Sequence, residues 1–392
     1  MTIFEDEAKL FFNTYKRLPV EIDHGEGCYL IAKDGKKYLD MFSGLAVNAL
    51  GYGHQGVTDA INAQARKYTH LSNFFAQPPQ LELAERLLRH SGFQKIFFTN
   101  SGTEATEGTI KLARKWGSAN GRTNIFGMTN GFSGRSMGSL SIMDKDKYRE
   151  GYGPFLENCG FITFNDVNDL RAKVNSSTAA VFLEFIQGEG GVVPVERAFV
   201  DELEALRKKF GFLVVADEIQ SGVMRTGKFF AYQHFNFRPD IVTIAKPIGG
   251  GLPLGAILGG PEVACVWSYG VHGTTFGGNP VACAAGKVVI DTVTSDAMQR
   301  QINDVSAYLL SKLQSLKAEH SIIKEIRGTG FMIGVDLSVD SAPLVDEMLS
   351  KGVLVNSTAK TVVRILPPLI AQQKEIDTLI AVFEGALRTA GV

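Results

Sequence analysis

The sequence predicts an α/β protein: a large unit built on a mainly parallel sheet, joined to a smaller α+β unit. Three observations predict it. Short apolar runs alternate with helical patterns through the middle of the chain. From about Val281 that alternation gives way to a long amphipathic helix and shorter strands. The 392 residues also exceed what a single hydrophobic core normally holds.

The first 45 or so residues contain few runs suited to a sheet core and are expected to pack with the smaller unit. This gives a division into 1–45, 46–283 and 284–392. Candidate strands follow at Lys95–Thr99, Asn124–Met128, Gly160–Phe164, Ala179–Glu184, Phe212–Ala216, Asp240–Ala245 and Gly255–Leu258. They are short, apolar and bounded by turn residues, as strands buried on both faces are. Helical patterns between them include Thr103–Gly117 and Phe199–Phe210. Beyond Val281, Ile302, Val305, Leu309, Leu313 and Leu316 form one apolar helical stripe. Strands at Phe331–Leu337 and Val362–Leu366 and a terminal helix near Glu375–Leu387 complete the smaller unit.

Composition excludes several classes. A net charge of −1 offers no field for nucleic acid or an anionic membrane. The acidic stretch Met1–Glu7 is unlike a signal peptide, and the most apolar segment, Ile248–Gly260, is too short to span a bilayer. Cys28, Cys159, Cys265 and Cys283 lack paired metal spacing and read as reduced thiols of a cytoplasmic protein.

Two motifs mislead. Gly51, Gly53 and Gly56 match a dinucleotide fingerprint, but no acidic residue stands near Leu71–Phe75 to hold a ribose. Gly222, Gly227 and Lys228 match a phosphate loop until Phe229 replaces the hydroxyl that would hold magnesium. Adjacent Asp217 and Glu218 would point apart on a strand, so no metal site is expected.

A third set is coherent. Lys246 ends one buried strand and Asp217 another, on the sheet edge where ligands bind. Partial burial lowers an ammonium pKa and leaves a nucleophilic amine. Asn100-Ser101-Gly102-Thr103 follows a strand and opens a helix, whose free N–H groups suit a phosphate. Each member alone also reads as plain structure: a snorkelling lysine, a turn carboxylate, a helix cap. Together they answer the needs of pyridoxal 5'-phosphate, which requires an amine for its aldehyde, an anion for its ring nitrogen and a cradle for its phosphate.

The run Asp217–Gly222, then Arg225-Thr226-Gly227, Ala245-Lys246, Gly249-Gly250-Gly251 and Gly273–Pro280, resembles in order and spacing the class III aminotransferases, pyridoxal-phosphate enzymes of fold-type I. The resemblance covers nearly the whole chain, and within the class it is strongest to the branch acting on acetylornithine. It implies a seven-stranded large domain. Lys246 would bond the cofactor aldehyde and later carry a proton between substrate and cofactor. Asp217 would pair with the ring nitrogen, Gln220 would lie near the phenolic oxygen, and Phe132 would stack on the ring. Ser101, Gly102 and Thr103 would form the phosphate cradle, with Glu184 in the same cofactor pocket. Thr275 would reach the phosphate of a neighbouring subunit, making a homodimer part of the site. Arg135 would hold the donor carboxylate, Arg364 that of 2-oxoglutarate, and Glu189 would pair with Arg364 between times.

The resemblance also implies the reaction: transfer of the δ-amino group of N2-acetyl-L-ornithine to 2-oxoglutarate, a step of arginine biosynthesis. N-succinylornithine, ornithine, 4-aminobutyrate or another ω-amine are alternative donors. An aminomutase needing no acceptor, a nicotinamide oxidoreductase resting on the Gly51 motif, and a non-catalytic binder are alternative functions. The chain departs from the family pattern at Ser133, Ser136, Phe185, Pro247, Tyr52 and Gln55. Leu45 stands where enzymes acting on free ornithine carry a tyrosine, and suits an acylated nitrogen.

Overall fold

The structure is a computed structural model and describes residues 3–390. Met1 and Thr2, which head the acidic N-terminal stretch, lie outside them, as do 391–392.

Seven strands form the central sheet, in the spatial order Lys95–Thr99, Gly255–Gly259, Ile241–Ile244, Leu213–Asp217, Thr178–Leu183, Asn124–Met128 and Cys159–Ile162. They are the seven expected strands, with ends shifted by a residue or two where a boundary residue turns out of the ladder. Gly255–Gly259 runs antiparallel to both neighbours, and the remaining pairs are parallel. The reason is chain length: the link from Ile244 to Gly255 is too short for a crossover helix. Thr178–Leu183, Leu213–Asp217 and Ile241–Ile244 are buried along their whole length, which explains their predominantly apolar sequences.

The helix Gly102–Ala119 covers one face of the sheet and buries Ala105, Ile110, Leu112 and Ala113. Arg197–Phe210 covers the other, through Phe199, Val200, Leu203 and Leu206, and stops at Gly211 in the left-handed region.

The helix Pro280–Val293 packs on Gln55–Ala65, on Pro78–Ser91 and on the short 3-10 turn Lys246–Gly249. Gly286 makes the last contact possible, since a Cβ there would sit 2.0 Å from the Ile248 carbonyl oxygen. This helix runs unbroken through 283–284, so the division expected there cuts a continuous element, one that packs mainly on earlier parts of the chain.

The later part contains the sheet Ile323–Thr329, Met332–Leu337, Val362–Ile365, Asn356–Thr358, all antiparallel. Asp296–Glu319, carrying the apolar stripe, packs on Ile323–Thr329, and Gln373–Ala390 packs in turn on Asp296–Glu319. The N-terminal segment holds three strands the sequence did not signal, Ile22–Glu26, Tyr29–Ala32 and Lys37–Asp40. Ile22–Glu26 is mostly exposed and Tyr29–Ala32 partly so, and Lys37–Asp40, though buried from Tyr38 on, carries a lysine and an aspartate, so none shows a buried strand's apolar run. Lys37–Asp40 pairs in parallel with Val353–Leu354, and Leu366 N–H donates to the Met41 carbonyl at 2.7 Å, which ties the first residues to the last unit.

Candidate active site

Three strand ends deliver ionisable groups to one place. Asp217 ends Leu213–Asp217 in register with Thr243 of the next strand, and Lys246 lies three residues beyond Thr243. Glu184 follows Thr178–Leu183. Lys246 is held at φ 51°, a left-handed conformation unfavourable for a side-chain-bearing residue. Pro247 then sits in the first turn of the 3-10 helix, where a missing N–H is tolerated.

These groups line a cavity of about 360 Å³. Of the expected site residues, Ser101, Gly102, Thr103, Phe132, Glu184, Glu189, Asp217, Gln220 and Lys246 all border it. Ser101 caps Gly102–Ala119, its Oγ accepting from Glu104 N–H at 3.2 Å. The free N-terminus of that helix therefore opens on the cavity. A side chain at Gly102 would meet Ile219 at 2.9 Å. Asp217 Oδ1 accepts from Ile219 N–H at 3.0 Å, and Glu184 accepts from Phe132 N–H at 2.8 Å and Gly188 N–H at 3.2 Å.

Arg364, Arg135 and Thr275 stand outside the cavity wall. Arg364 is 1% exposed within Val362–Ile365. Its Nη1 donates to Glu189 Oε1 at 2.6 Å and to Gln220 Oε1 at 3.2 Å, and its Nε to Asn356 Oδ1 at 3.0 Å. Arg135 is exposed, its guanidinium 3.8 Å from the Tyr148 ring centre and 5.5 Å from that of Phe132. Thr275 borders a separate open groove with His70, Phe74 and Lys111. Leu45, expected to face the donor nitrogen, is 39% exposed and outside the lining; Val47 is the apolar residue there.

Val47, Asn100 and Ile219 line the cavity without having been singled out. Asn100 and Ile219 adjoin residues that were, so proximity in sequence was the available signal. Tyr148 and Asn356 had none; only the fold brings them to Arg135 and Arg364. Phe185, where a proline is usual, is buried against Tyr232, Phe235 and Phe237. Glu218 turns away from Asp217, as alternation on a strand requires, and accepts from Ser221 Oγ at 2.6 Å and Tyr232 N–H at 3.0 Å. Gly51 and Gly53 occupy left-handed positions in a loop, not the start of a nucleotide-binding helix. Glu319, His320 and Glu384 approach one another near the surface, where Glu384 is already engaged by Arg388.

Burial dominates the electrostatics. It pushes Lys246 down to about 8, reinforced by Arg364 and opposed by Asp217, Glu189 and Glu184. Burial pushes Asp217 up to about 6, against the Ile219 N–H and Lys246. Burial and the Asp217 charge push Glu184 up to about 8. Burial also acts to raise Glu189, but Arg364 outweighs it and holds that carboxyl below its usual range. The site therefore combines an amine that is readily neutral with a buried anion in want of a cation, beside a helix N-terminus.

The family description Aminotransferase class-III matches residues 11–387. The chain belongs to the class-III aminotransferases. Within the class it is 41% identical over 380 residues to the acetylornithine aminotransferase of Clostridium acetobutylicum, covering 96% of this chain and 98% of that one. It is also 41% identical over 378 residues to the acetylornithine aminotransferase of Aquifex aeolicus, covering 96% and 99%. Among solved structures, the ornithine aminotransferase of Toxoplasma gondii superposes with a TM-score of 0.94 at 27% identity, covering 99% of this chain and 94% of that one. The N-acetylornithine aminotransferase of Stenotrophomonas maltophilia does so with a TM-score of 0.84 at 31% identity, covering 99% of each.

Class-III aminotransferases depend on pyridoxal 5'-phosphate, and an amine transaminase of an uncultivated Pseudomonas species, TM-score 0.90 at 27% identity over 97% of this chain and 98% of that one, was solved with it bound. The residues here fit that group. The cavity presents an amine of lowered pKa, a buried carboxylate and an open helix start together. Among the described residues no helix is long and apolar enough to cross a membrane.

Proposed function

We propose that this class-III aminotransferase moves the δ-amino group of N2-acetyl-L-ornithine to 2-oxoglutarate, yielding N-acetyl-L-glutamate 5-semialdehyde and L-glutamate. The relatives named as acetylornithine aminotransferases support the donor. The observation that carries the two-substrate reading is the Glu189–Arg364 pair at 2.6 Å. The donor's reacting carbon bears no carboxylate, and while it occupies the site Glu189 neutralises Arg364. 2-Oxoglutarate does carry a carboxylate at its reacting carbon, and that group displaces Glu189 and takes the guanidinium as a bidentate pair. Arg135, lying over Tyr148 near the cavity mouth, receives the donor's own α-carboxylate.

Pyridoxal phosphate supplies, when bound, an aldehyde that joins amines and a ring that takes up electrons. The chain does the rest. Lys246 would hold the cofactor and, as a neutral amine, would carry the proton. Asp217 would keep the ring nitrogen protonated, Gln220 would serve the phenolic oxygen, and Phe132 would pack on the ring. Ser101, Gly102 and Thr103 would offer N–H and hydroxyl donors to the phosphate, and Glu184 completes the pocket wall.

Thr275 serves the phosphate of a second copy, so the working unit is a homodimer. In support, Thr275 is exposed outside its own chain's cavity, in a groove beside Phe74 at 98% exposure. The scattered cysteines suit a cytoplasmic enzyme of arginine biosynthesis. The three-part division of the chain stands in this reading with its last boundary moved beyond Val293.

A donor panel tests the assignment. The ratio kcat/KM is expected to favour N-acetylornithine over ornithine and 4-aminobutyrate by about tenfold or more. A preference for N-succinylornithine would change the acyl group; a preference for free ornithine would overturn the reading.

A further inference from the structure

One segment beside the cavity is held in a conformation its sequence does not favour. Ser43, Gly44, Leu45 and Ala46 all lie in the left-handed region, at φ 46°, 61°, 65° and 65°, although only one is glycine. Consecutive side-chain-bearing residues rarely adopt it, because Cβ crowds the following carbonyl. Such a turn persists only where the surroundings over-determine it. Val47, the next residue, lines the cavity with Lys246.

The surroundings are specific. Asp40 is fully buried; its Oδ1 accepts from Phe42 N–H at 3.0 Å and Ser43 N–H at 2.8 Å, which starts the turn. Its Oδ2 accepts from the Tyr52 hydroxyl at 2.6 Å. Tyr52 is itself fixed: its backbone exchanges two hydrogen bonds with Gly27, and its ring lies so close to Gly25 that a Cβ there would sit 2.5 Å from it. At the other side, Ser43 Oγ donates to the Leu366 carbonyl at 2.7 Å, two residues beyond Arg364. Ala46 is buried with Leu366, Ile186 and Val192.

We propose that Tyr52 and Asp40 are positioning residues for the amino donor: a rigid tyrosine holds a buried carboxylate, the carboxylate holds the left-handed turn 43–46, and the turn sets the Val47 wall against the donor chain. Neither residue touches the cavity, and both act through the turn. The proposal rests on the aminotransferase reading but not on which ω-amine is the donor.

The test compares Tyr52→Phe, which removes one oxygen, with the wild type, using whichever donor the wild type turns over best. KM for the donor is expected to rise about tenfold, the loss of one hydrogen bond to a charged group, while kcat and the KM for 2-oxoglutarate stay within about twofold. Amide exchange across 43–47 should accelerate in both cofactor-free and loaded protein, with no change around Lys246. Adding Ala46→Gly, a residue at ease at φ 65°, should recover much of the donor KM. An unchanged donor KM in Tyr52→Phe would overturn the proposal. So would a parallel rise in both KM values, or a loss that Ala46→Gly leaves untouched, since either marks a structural role alone. A wild type that accepts no ω-amine would sink the functional reading instead, and the exchange measurement would still decide whether the clamp holds the turn.

Discussion

Glu189 and Arg364 meet at 2.6 Å although 175 residues separate them in the chain. The guanidinium is 1% exposed and the carboxylate partly open to the cavity, so the pair is a buried cation with a movable lid. Losing one partner of such a pair leaves the other uncompensated. Glu189→Ala should therefore leave Arg364 permanently available to carboxylates. In single-turnover measurements, the preference for the ω-amino donor over L-glutamate should fall by about tenfold or more. An unchanged ratio would remove Glu189 from the switch.

Lys246 should capture the cofactor as a neutral amine. Its pKa is lowered to about 8, by burial first and then by Arg364. The rate at which cofactor-free protein binds pyridoxal phosphate should rise with pH around a midpoint near 8. Arg364→Met, removing the neighbouring cation, should shift that midpoint upward. Lys246→Ala should bind loosely, take no borohydride label at that position and show no turnover.

Asp217→Asn should keep the fold and lose the anion. Turnover should drop by about a hundredfold or more, as when a charge-stabilising group is deleted from a dry site. The absorbance of the bound cofactor should move as its ring nitrogen loses its proton. An active variant with an unshifted spectrum would contradict the proposed pairing.

Cofactor-free protein should become less stable as pH rises from the carboxylate range to neutrality. Burial raises Asp217 from 3.8 to about 6 and Glu218 from 4.5 to about 7. A group whose folded pKa is raised stabilises the fold fully below its unfolded value and loses that contribution as pH climbs through the folded one. Tm should fall between about pH 4 and 7, and Glu218→Gln should reduce the accompanying loss of unfolding free energy by on the order of 3 kcal/mol. A Tm rising across that interval would refute the burial argument.

Subunit mixing tests the shared site. Lys246→Ala and Thr275→Glu should each be inactive alone. Mixed, they should recover roughly a quarter of wild-type sites, because one mixed dimer site has both an intact lysine and an intact threonine. No recovery after confirmed exchange would confine each site to one chain.

The central sheet strands were legible because strands buried on both faces are mostly apolar, and Thr178–Leu183 and Leu213–Asp217 are apolar but for a polar residue at one end. Lys246 and Asp217 were legible for the same reason inverted: a charge closing such a run marks the ligand edge. The strands between Ile22 and Asp40 were not, since they are short and mix polar with apolar residues.

By itself, then, the sequence determined the sheet, the placing of Lys246 and Asp217 at its edge and the helix start at Gly102, all written locally in strand ends and caps. Tertiary structure alone decided which distant groups face one another. It paired Arg364 with Glu189 and Asn356, laid Arg135 over Tyr148, put Val47 rather than Leu45 at the cavity, and turned Thr275 away from its own chain's site. The physical reason is range. Strand burial and helix capping act between near neighbours in the chain, whereas these pairings depend on how whole elements pack, which no local pattern encodes.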